Sequence, residues 1–379
     1  MQLDLLVVGG GLIGVGCALA ARRAGLRVTI VERNPPGQGT AICSGGFLSL
    51  QTKPPGLALD LARLGLERIV PATREQWVRL GFRRAGSLIV ARDEDVAADL
   101  HRHVERLAAA GVPVSLERGD VLRALEPRLG PDVCAGSFCP IDAQVDPASL
   151  LGEWIAQALR QGVDFRANTP VVGFRVRGER VTAVRCGATE IAPGAVLLAA
   201  GSWTGMLARR LGLDLPIEPR RGALLRLRGP LGLRVPCLLG AEYLAAKFGR
   251  EAPPPAFSLE ERTSGWLFLG GTREFAGHAR RPLAGTTNRL WALARAYLPA
   301  AARLRPVRLS VGFRPWTPDG LPLIGRAGYE NLFVAAGHEG DGVLLAAITG
   351  ELVVDALLGR TSPVPLGPLA PLRFAAVSG

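Results

Sequence analysis

The chain has 379 residues, 48% of them apolar, which suits two lobes or one elaborated α/β unit and leaves no stretch with the composition of a disordered segment. It carries 45 Lys and Arg against 33 Asp and Glu, a formal charge of +12. Nearly all the basic residues are arginines, scattered rather than clustered, with Lys53 and Lys247 the only lysines, so nucleic acid is not an expected partner.

The chain opens on a β-α-β unit: strand "LDLLVV", a glycine turn, a helix to Arg23 stopped by Gly25, then strand "RVTIVER". In "GGGLIG", Gly9 permits the tight turn, Gly11 lets the backbone approach a pyrophosphate, and Gly14 allows close packing of helix on strand. Glu32 closes the second strand, placed for the hydroxyls of a ribose, and an acid there argues against a 2′-phosphate. The Gly- and Pro-rich loop from Asn34 to Gly56 is long enough to suggest function. "LALDLARLGLERIVPATREQWVRLG" reads as helices, "RRAGSLIVAR" as a strand, and "VAADLHRHVERLAAAG" as a helix with His101 and His103 at its surface.

"DPASLLGEWIAQALRQG" is a further helix, followed by strands that return to the buried run "AVLLAAG". Between Leu215 and Phe313 the strands lengthen: "RRGALLRLRG", "AEYLAAKF", "GWLFLGG" and "VRLSVGFRP", interrupted by one helix at "TTNRLWALARAYLP". Tyr243 and Lys247 fall on the second of these, where Lys247 reads as a solvated strand lysine. The tail returns to alternating α/β, and "FVAAGHEGDGVLLAAITGELV" sets a second glycine turn at a helix N-terminus, suited to an anionic or electron-rich group. The expected architecture is α/β (α+β): a Rossmann-type dinucleotide domain from residues 1–81, 141–214 and 313–379, interleaved with a mostly antiparallel substrate domain from 82–140 and 215–312.

Six cysteines form no metal-ligand framework, Cys134 and Cys139 being the only close pair, and no metal site is expected. No apolar run reaches the roughly 18–20 residues that span a bilayer. "MQLDLLVVGGG" has neither a charged leader nor a cleavage site. A cytoplasmic location is expected, with peripheral attachment to the inner face of the membrane left open.

Four motifs in order, "VVGGGLIG", "AVLLAAGSWTG", "GFRPWTPDGLPLIG" and "GHEGDGVLLAAITGELV", resemble those of the D-amino acid oxidase superfamily of FAD-dependent amine oxidoreductases. That resemblance implies non-covalent FAD held by Gly9, Gly11, Gly14, Glu32 and Arg33 at its nucleotide end. It also implies contacts from Ser44, Gly45 and Gly46 of "TAICSGGF", from Val172, Ala200, Gly201 and Trp203, and from Gly337, Glu339, Gly340, Asp341, Gly342 and Val343. The family's usual serine is replaced by Ala41, which leaves one cofactor contact to Ser44 and the neighbouring amides. Gly312 stands where monomeric sarcosine oxidase has its flavin-linking cysteine, so no covalent link can form there. The first glycine turn takes the pyrophosphate; the second aims N–H groups at the flavin edge that becomes negative on reduction.

The same resemblance makes Arg314 the carboxylate-binding residue, with bracing of Asp319 as the rival role. Tyr243 either closes over the substrate or packs in the sheet. His338 faces the substrate side of the flavin or satisfies local backbone groups. "GAEYLAAKFG" and "GHEGDG" look most like the flavin (β) subunits of heteromeric dye-linked proline, hydroxyproline or opine dehydrogenases and of hydrogen cyanide synthase. The implied function is oxidation of the C–N bond of a small amino or imino acid, proline- or hydroxyproline-like, by hydride transfer to flavin N5. A partner subunit carrying an iron–sulfur centre or second flavin would take the electrons. Two alternatives stand beside it: a stand-alone glycine, sarcosine or D-amino acid oxidase using oxygen, and a non-catalytic FAD-binding subunit.

Overall fold

The computed structural model describes residues 3–71, 73–229, 231–248 and 255–375. Strand β1 (Leu3–Val8), helix α1 (Leu12–Arg23) and strand β2 (Val28–Val31) form the opening unit as expected. The long loop that follows holds a single 3-10 turn, Thr40–Cys43, and the short strand β3 (Phe47–Leu48). Helices α2 (Leu57–Ile69) and α3 (Arg74–Arg79) lead to strand β4 (Ser87–Ala91) and helix α4 (Glu94–Ala109). Then come β5 (Ser115–Arg118), α5 (Gly119–Leu125), β6 (Ala135–Cys139), β7 (Ala143–Gln144) and α6 (Pro147–Arg160).

The middle of the chain supplies β8 (Asp164–Arg166), β9 (Val171–Arg177), β10 (Arg180–Cys186), β11 (Thr189–Ile191), β12 (Pro193–Leu198) and α7 (Thr204–Arg209). Strands β13 (Glu218–Arg228) and β14 (Cys237–Gly240) precede α8 (Glu242–Phe248). Strands β15 (Ser258–Glu261), β16 (Trp266–Gly270) and β17 (Glu274–Phe275) are followed by α9 (Thr286–Tyr297) and the long β18 (Arg305–Trp316). The chain closes with β19 (Leu323–Arg326), β20 (Leu332–Ala336) and α10 (Gly342–Leu358).

The central six-stranded sheet runs β19-β20-β12-β1-β2-β8, parallel except for β19. Its strands read as unbroken apolar runs because both faces are covered. Leu5 and Val7 enter the core shared with α1, α2, α6 and α10, while Leu6 and Val8 enter the core formed with β10, β12 and α7. Since β20, β12, β1 and β2 are parallel neighbours, the segments leaving their carboxyl ends lie side by side. Both glycine turns, and the "GSW" turn Gly201–Trp203, therefore share one edge of the sheet. Helices α1 and α10 close the arrangement: a side chain at Gly16 would strike Ala346 O, and one at Gly350 would strike Gly16 O.

A nine-stranded sheet, β17-β13-β16-β15-β14-β4-β6-β5 with β18 beside β13, draws its strands from residues 87–139 and 218–316. It is antiparallel apart from the β14–β4 pair. One expectation fails here. "EYLAAKF" is helix α8, not a strand, so two helices rather than one interrupt the strands of this segment. Ala, Leu, Glu and Lys dominate it, with Glu242 in the first turn and Lys247 in the last, the charge order a helix dipole favours. Gly249 of the same motif lies outside the described residues.

Two buried polar seams fasten the sheets together. In the first, Asp142 accepts from Ser49 Oγ (2.6 Å), Leu50 N (2.7 Å) and Ser87 Oγ (2.7 Å). Gln51 extends it by donating to Ser87 O and accepting from Ser137 Oγ, and its own carbonyl meets His103 Nε2 at 2.7 Å, so His103 is no free surface residue. In the second seam Arg262 donates to Glu260 (2.8 Å), Asp146 (2.8 Å) and Ser44 O (2.9 Å), while Glu260 accepts the Gly46 N–H at 2.6 Å. Replacing Arg262 by Met strands Glu260, which is 1% exposed, in a dry site. The expected cost is about 3–5 kcal/mol, the usual penalty for breaking a buried pair. Urea unfolding of the variant measures it, and a loss under 1 kcal/mol would show the seam to be dispensable.

Candidate active site

The first glycine turn has the backbone geometry of the fingerprint. Gly9 adopts φ +119, and a Cβ there would collide with Ala199 O at the end of β12. Around Gly11 the space is open. Glu32 accepts the N–H groups of Gly10 (2.9 Å) and Asn34 (3.0 Å), which fixes its carboxylate beside the turn with lone pairs to spare. No side chain caps α1 or α10, so the free N–H groups of both first turns are available to a ligand. Open backbone at Gly11 and Gly340, two uncapped helix starts on one sheet edge and an acid at the second strand end fit the two anionic ends of FAD.

Other expected cofactor residues are distributed unevenly. Trp203 stacks on His278 (centroids 4.4 Å apart) and takes the guanidinium of Arg33 at 3.8 Å. Ala200 and Gly201 hold the turn that carries Trp203, whose N–H donates to Ala200 O. Ser44 donates its hydroxyl to Ala41 O, and the Gly46 N–H is committed to Glu260. Val172 is exposed at the start of β9 with its carbonyl accepting from Arg210, and among the described residues no hydrogen bond or ion pair ties it to the others.

The second glycine turn carries a dense cluster of buried charge. Gly337 adopts φ +85 and Glu339 a left-handed φ of +44, unusual for a residue with a side chain. The Glu339 N–H donates to Pro315 O, and its Oε2 accepts from the Gly340 N–H. Its Oε1 lies 3.6 Å from Arg220, 3.5 Å from Arg273 and 3.8 Å from Arg314, within ion-pair reach of all three. Burial pushes the Glu339 carboxyl up, but Arg273, Arg314 and Lys247 outweigh it and hold the group below its ordinary value. Arg220 and Arg314 are directly opposite on β13 and β18, a like-charge pair that needs this carboxylate.

Asp341 meets both lysines of the chain. Lys53 Nζ stands 2.9 Å from one carboxylate oxygen and Lys247 Nζ 2.9 Å from the other. Burial opposes ionisation of Asp341, and the two ammoniums, Lys247 first, reverse this and hold it far below the carboxylate range. Burial lowers the Lys53 ammonium to about 8 despite Asp341, whereas for Lys247 the pull of Asp341 prevails and raises it. Lys247 is therefore a buried, ion-paired residue on a helix and not a solvated strand lysine. Gly342 and Val343 begin α10 immediately beyond.

The expected substrate residues separate. Arg314 does not brace Asp319, which pairs with Arg373 at 2.8 Å; instead its Nη1 donates to Thr272 O at 3.0 Å and its side chain keeps an 18% exposed edge. Tyr243 is half-buried on α8 with the Arg273 guanidinium 4.2 Å from its ring centroid. His338 points into α10, its Nε2 2.9 Å from Thr349 Oγ1. Sequence reasoning missed Arg220, Arg273 and the shared partner of the lysines. The scarcity of lysine was a signal for the last; "GGTREF", charged residues in an apolar strand context, was one for Arg273.

The family of FAD dependent oxidoreductases designated DAO matches residues 4–356. A glycine oxidase of Geobacillus kaustophilus is 32% identical over 385 residues, covering 98% of this chain and 97% of that protein. The crystal structure of glycine oxidase from Geobacillus kaustophilus superposes with a TM-score of 0.88 at 26% identity, over 98% of this chain and 99% of that one. The crystal structure of L-proline dehydrogenase from P. horikoshii gives 0.87 at 22% identity over 99% and 98%, a likeness of fold.

Burial pushes the His338 imidazole down to about 4, from an ordinary 6.5. Below pH 6.5 the unfolded chain takes up this proton while the folded chain does not until about pH 4. The stability tied to neutral His338 is thus complete above pH 6.5 and falls by up to about 3 kcal/mol as pH drops towards 4. Unfolding free energy measured across this window should have a shallower slope in His338→Gln than in the parent; identical slopes would refute the assignment.

Proposed function

The chain belongs to the DAO family of FAD dependent oxidoreductases, and on that premise we propose that it oxidises the C–N bond of a small amino acid in the manner of a glycine oxidase. The observation that carries this reading is Arg314: a guanidinium fixed by one bond to Thr272 O, with one edge open, beside the turn that starts α10. Such a fork takes a carboxylate through two parallel hydrogen bonds and so orients the α-carbon. Bound FAD supplies the two-electron acceptor. The substrate loses a hydride from its α-carbon and a proton from nitrogen; oxygen takes up the electron pair and two protons as hydrogen peroxide, and the imine hydrolyses to an oxo acid and ammonia.

The protein's own part is placement and charge. Tyr243 covers one side of the arginine cluster, with the Arg273 guanidinium beneath its ring. Glu339 keeps Arg220 and Arg314 from repelling each other without consuming the open edge of Arg314. The uncapped start of α10 presents N–H groups and the positive end of a 17-residue helix dipole where negative charge develops. His338, turned toward Thr349, positions this helix start.

The heteromeric proline dehydrogenase reading rests on the "GAEYLAAKFG" and "GHEGDG" motifs and on likeness of fold, and it has less support than the oxidase reading. Anaerobic titration with glycine, sarcosine, D-alanine and D- and L-proline, followed by admission of air, separates them. Bleaching of the flavin by glycine or sarcosine with stoichiometric peroxide on reoxidation is the expected result. Bleaching by proline alone, with slow reoxidation, would favour a dehydrogenase with a partner subunit. A flavin that no amine bleaches would favour a non-catalytic subunit. In Arg314→Met the KM for the bleaching amine should rise at least about 100-fold, as expected for loss of a charge-assisted bidentate contact.

A further inference from the structure

The cluster around the second glycine turn holds more positive charge than one substrate carboxylate accounts for. Five cations, Lys53, Lys247, Arg220, Arg273 and Arg314, face two carboxylates, Glu339 and Asp341. The lysines are absorbed by Asp341. Arg220 donates to the carbonyls of Lys247 (2.9 Å) and Ala246 (3.0 Å) at the end of α8, which makes it part of the frame. Arg314 has its anchor on Thr272 O.

Arg273 differs from all of them. It is 1% exposed, and among the described residues Nε, Nη1 and Nη2 meet no acceptor in hydrogen-bond geometry; its electrostatic partners are Tyr243 and Glu339. Its nearest carboxylate oxygen, Glu339 Oε1, is 3.5 Å away and shared with two other guanidiniums. The other Glu339 oxygen is already taken by the Gly340 N–H. A guanidinium is donor-only, with five N–H groups in a rigid fork, and a buried fork without acceptors is a costly arrangement unless a ligand completes it. Arg273 and Arg314 both reach the same Glu339 oxygen, at 3.5 and 3.8 Å, so the two forks belong to one site.

We propose that the preferred substrate is a small amine bearing two carboxylates, the α-carboxylate on Arg314 and the second on Arg273. The proposal rests on the amine-oxidising reading above and adds the substrate class to it. Arg273 is then a specificity-determining residue: it sets KM for the diacid and leaves the reacting C–N bond to the same apparatus that would process a monocarboxylate.

The test compares glycine with iminodiacetate, D-aspartate and L-aspartate in steady-state turnover and in anaerobic flavin reduction. A KM at least tenfold lower for one diacid than for glycine is expected, and the three diacids separate a secondary from a primary amine. In Arg273→Met the diacid KM should rise at least 100-fold, and at least tenfold more than the glycine KM rises, with kcat for the diacid changed less than threefold. An equal rise for glycine and diacid would overturn the proposal, since both forks would then serve one carboxylate. A wild-type protein that oxidises glycine but favours no diacid would overturn it while leaving the amine-oxidising reading intact. If no amine reduces the flavin, equilibrium titration still decides: malonate should perturb the flavin spectrum at tenfold lower concentration than acetate, and Arg273→Met should abolish the difference. Equal affinities would refute the second anion subsite. Should Arg273→Met fail to fold, Arg273→Lys keeps the charge and loses the fork, and the same selective loss is expected with a smaller factor.

Discussion

Asp341 is where three remote parts of the chain meet. Lys53 arrives from the loop held by the Asp142 seam, Lys247 from the last turn of α8 in the inserted sheet, and the carboxylate itself stands at the start of α10. In a dry environment each ammonium needs this partner, and the carboxylate needs both. A buried ionic group of this kind is weak evidence for stability but a strong constraint on arrangement, because alternative placements would leave a charge without a counter-ion. The position of Asp341 in turn fixes Glu339, two residues earlier, among the arginines.

Glu339 shows what this constraint exacts. A left-handed backbone at a residue with a side chain costs about 1–3 kcal/mol, and glycine would remove the strain. Glycine, however, would leave Arg220, Arg273 and Arg314 facing one another with no carboxylate between them. The carboxylate stands just outside hydrogen-bond distance of all three. It neutralises without saturating, so the donors of Arg273 and the open edge of Arg314 remain available.

The two glycine turns depend on each other through packing. Helices α1 and α10 approach closely at Gly16 and Gly350, and the parallel order β20-β12-β1 sets the turns on one sheet edge. Two uncapped helix starts are thereby held in fixed relation, an arrangement that fits a cofactor with two anionic ends. From the other sheet, the long β13–β18 ladder carries Arg220 and Arg314 to the second turn.

Sequence by itself determined whatever depends on neighbours along the chain. The β1-α1-β2 turn with Gly9, Gly11, Gly14 and Glu32 and the helix after "GHEGDG" were legible, because glycine placement and apolar periodicity are local properties. Local context also misleads: strands flank "EYLAAKF", yet its residues favour a helix and form one. Tertiary structure alone decided which charges meet. The joining of Lys53 and Lys247 on Asp341, the neutralisation of three arginines by Glu339 and the commitment of the Gly46 N–H to Glu260 span up to 288 positions of sequence. Electrostatic partners are chosen by distance in space and by burial, and neither quantity exists until the sheets have assembled.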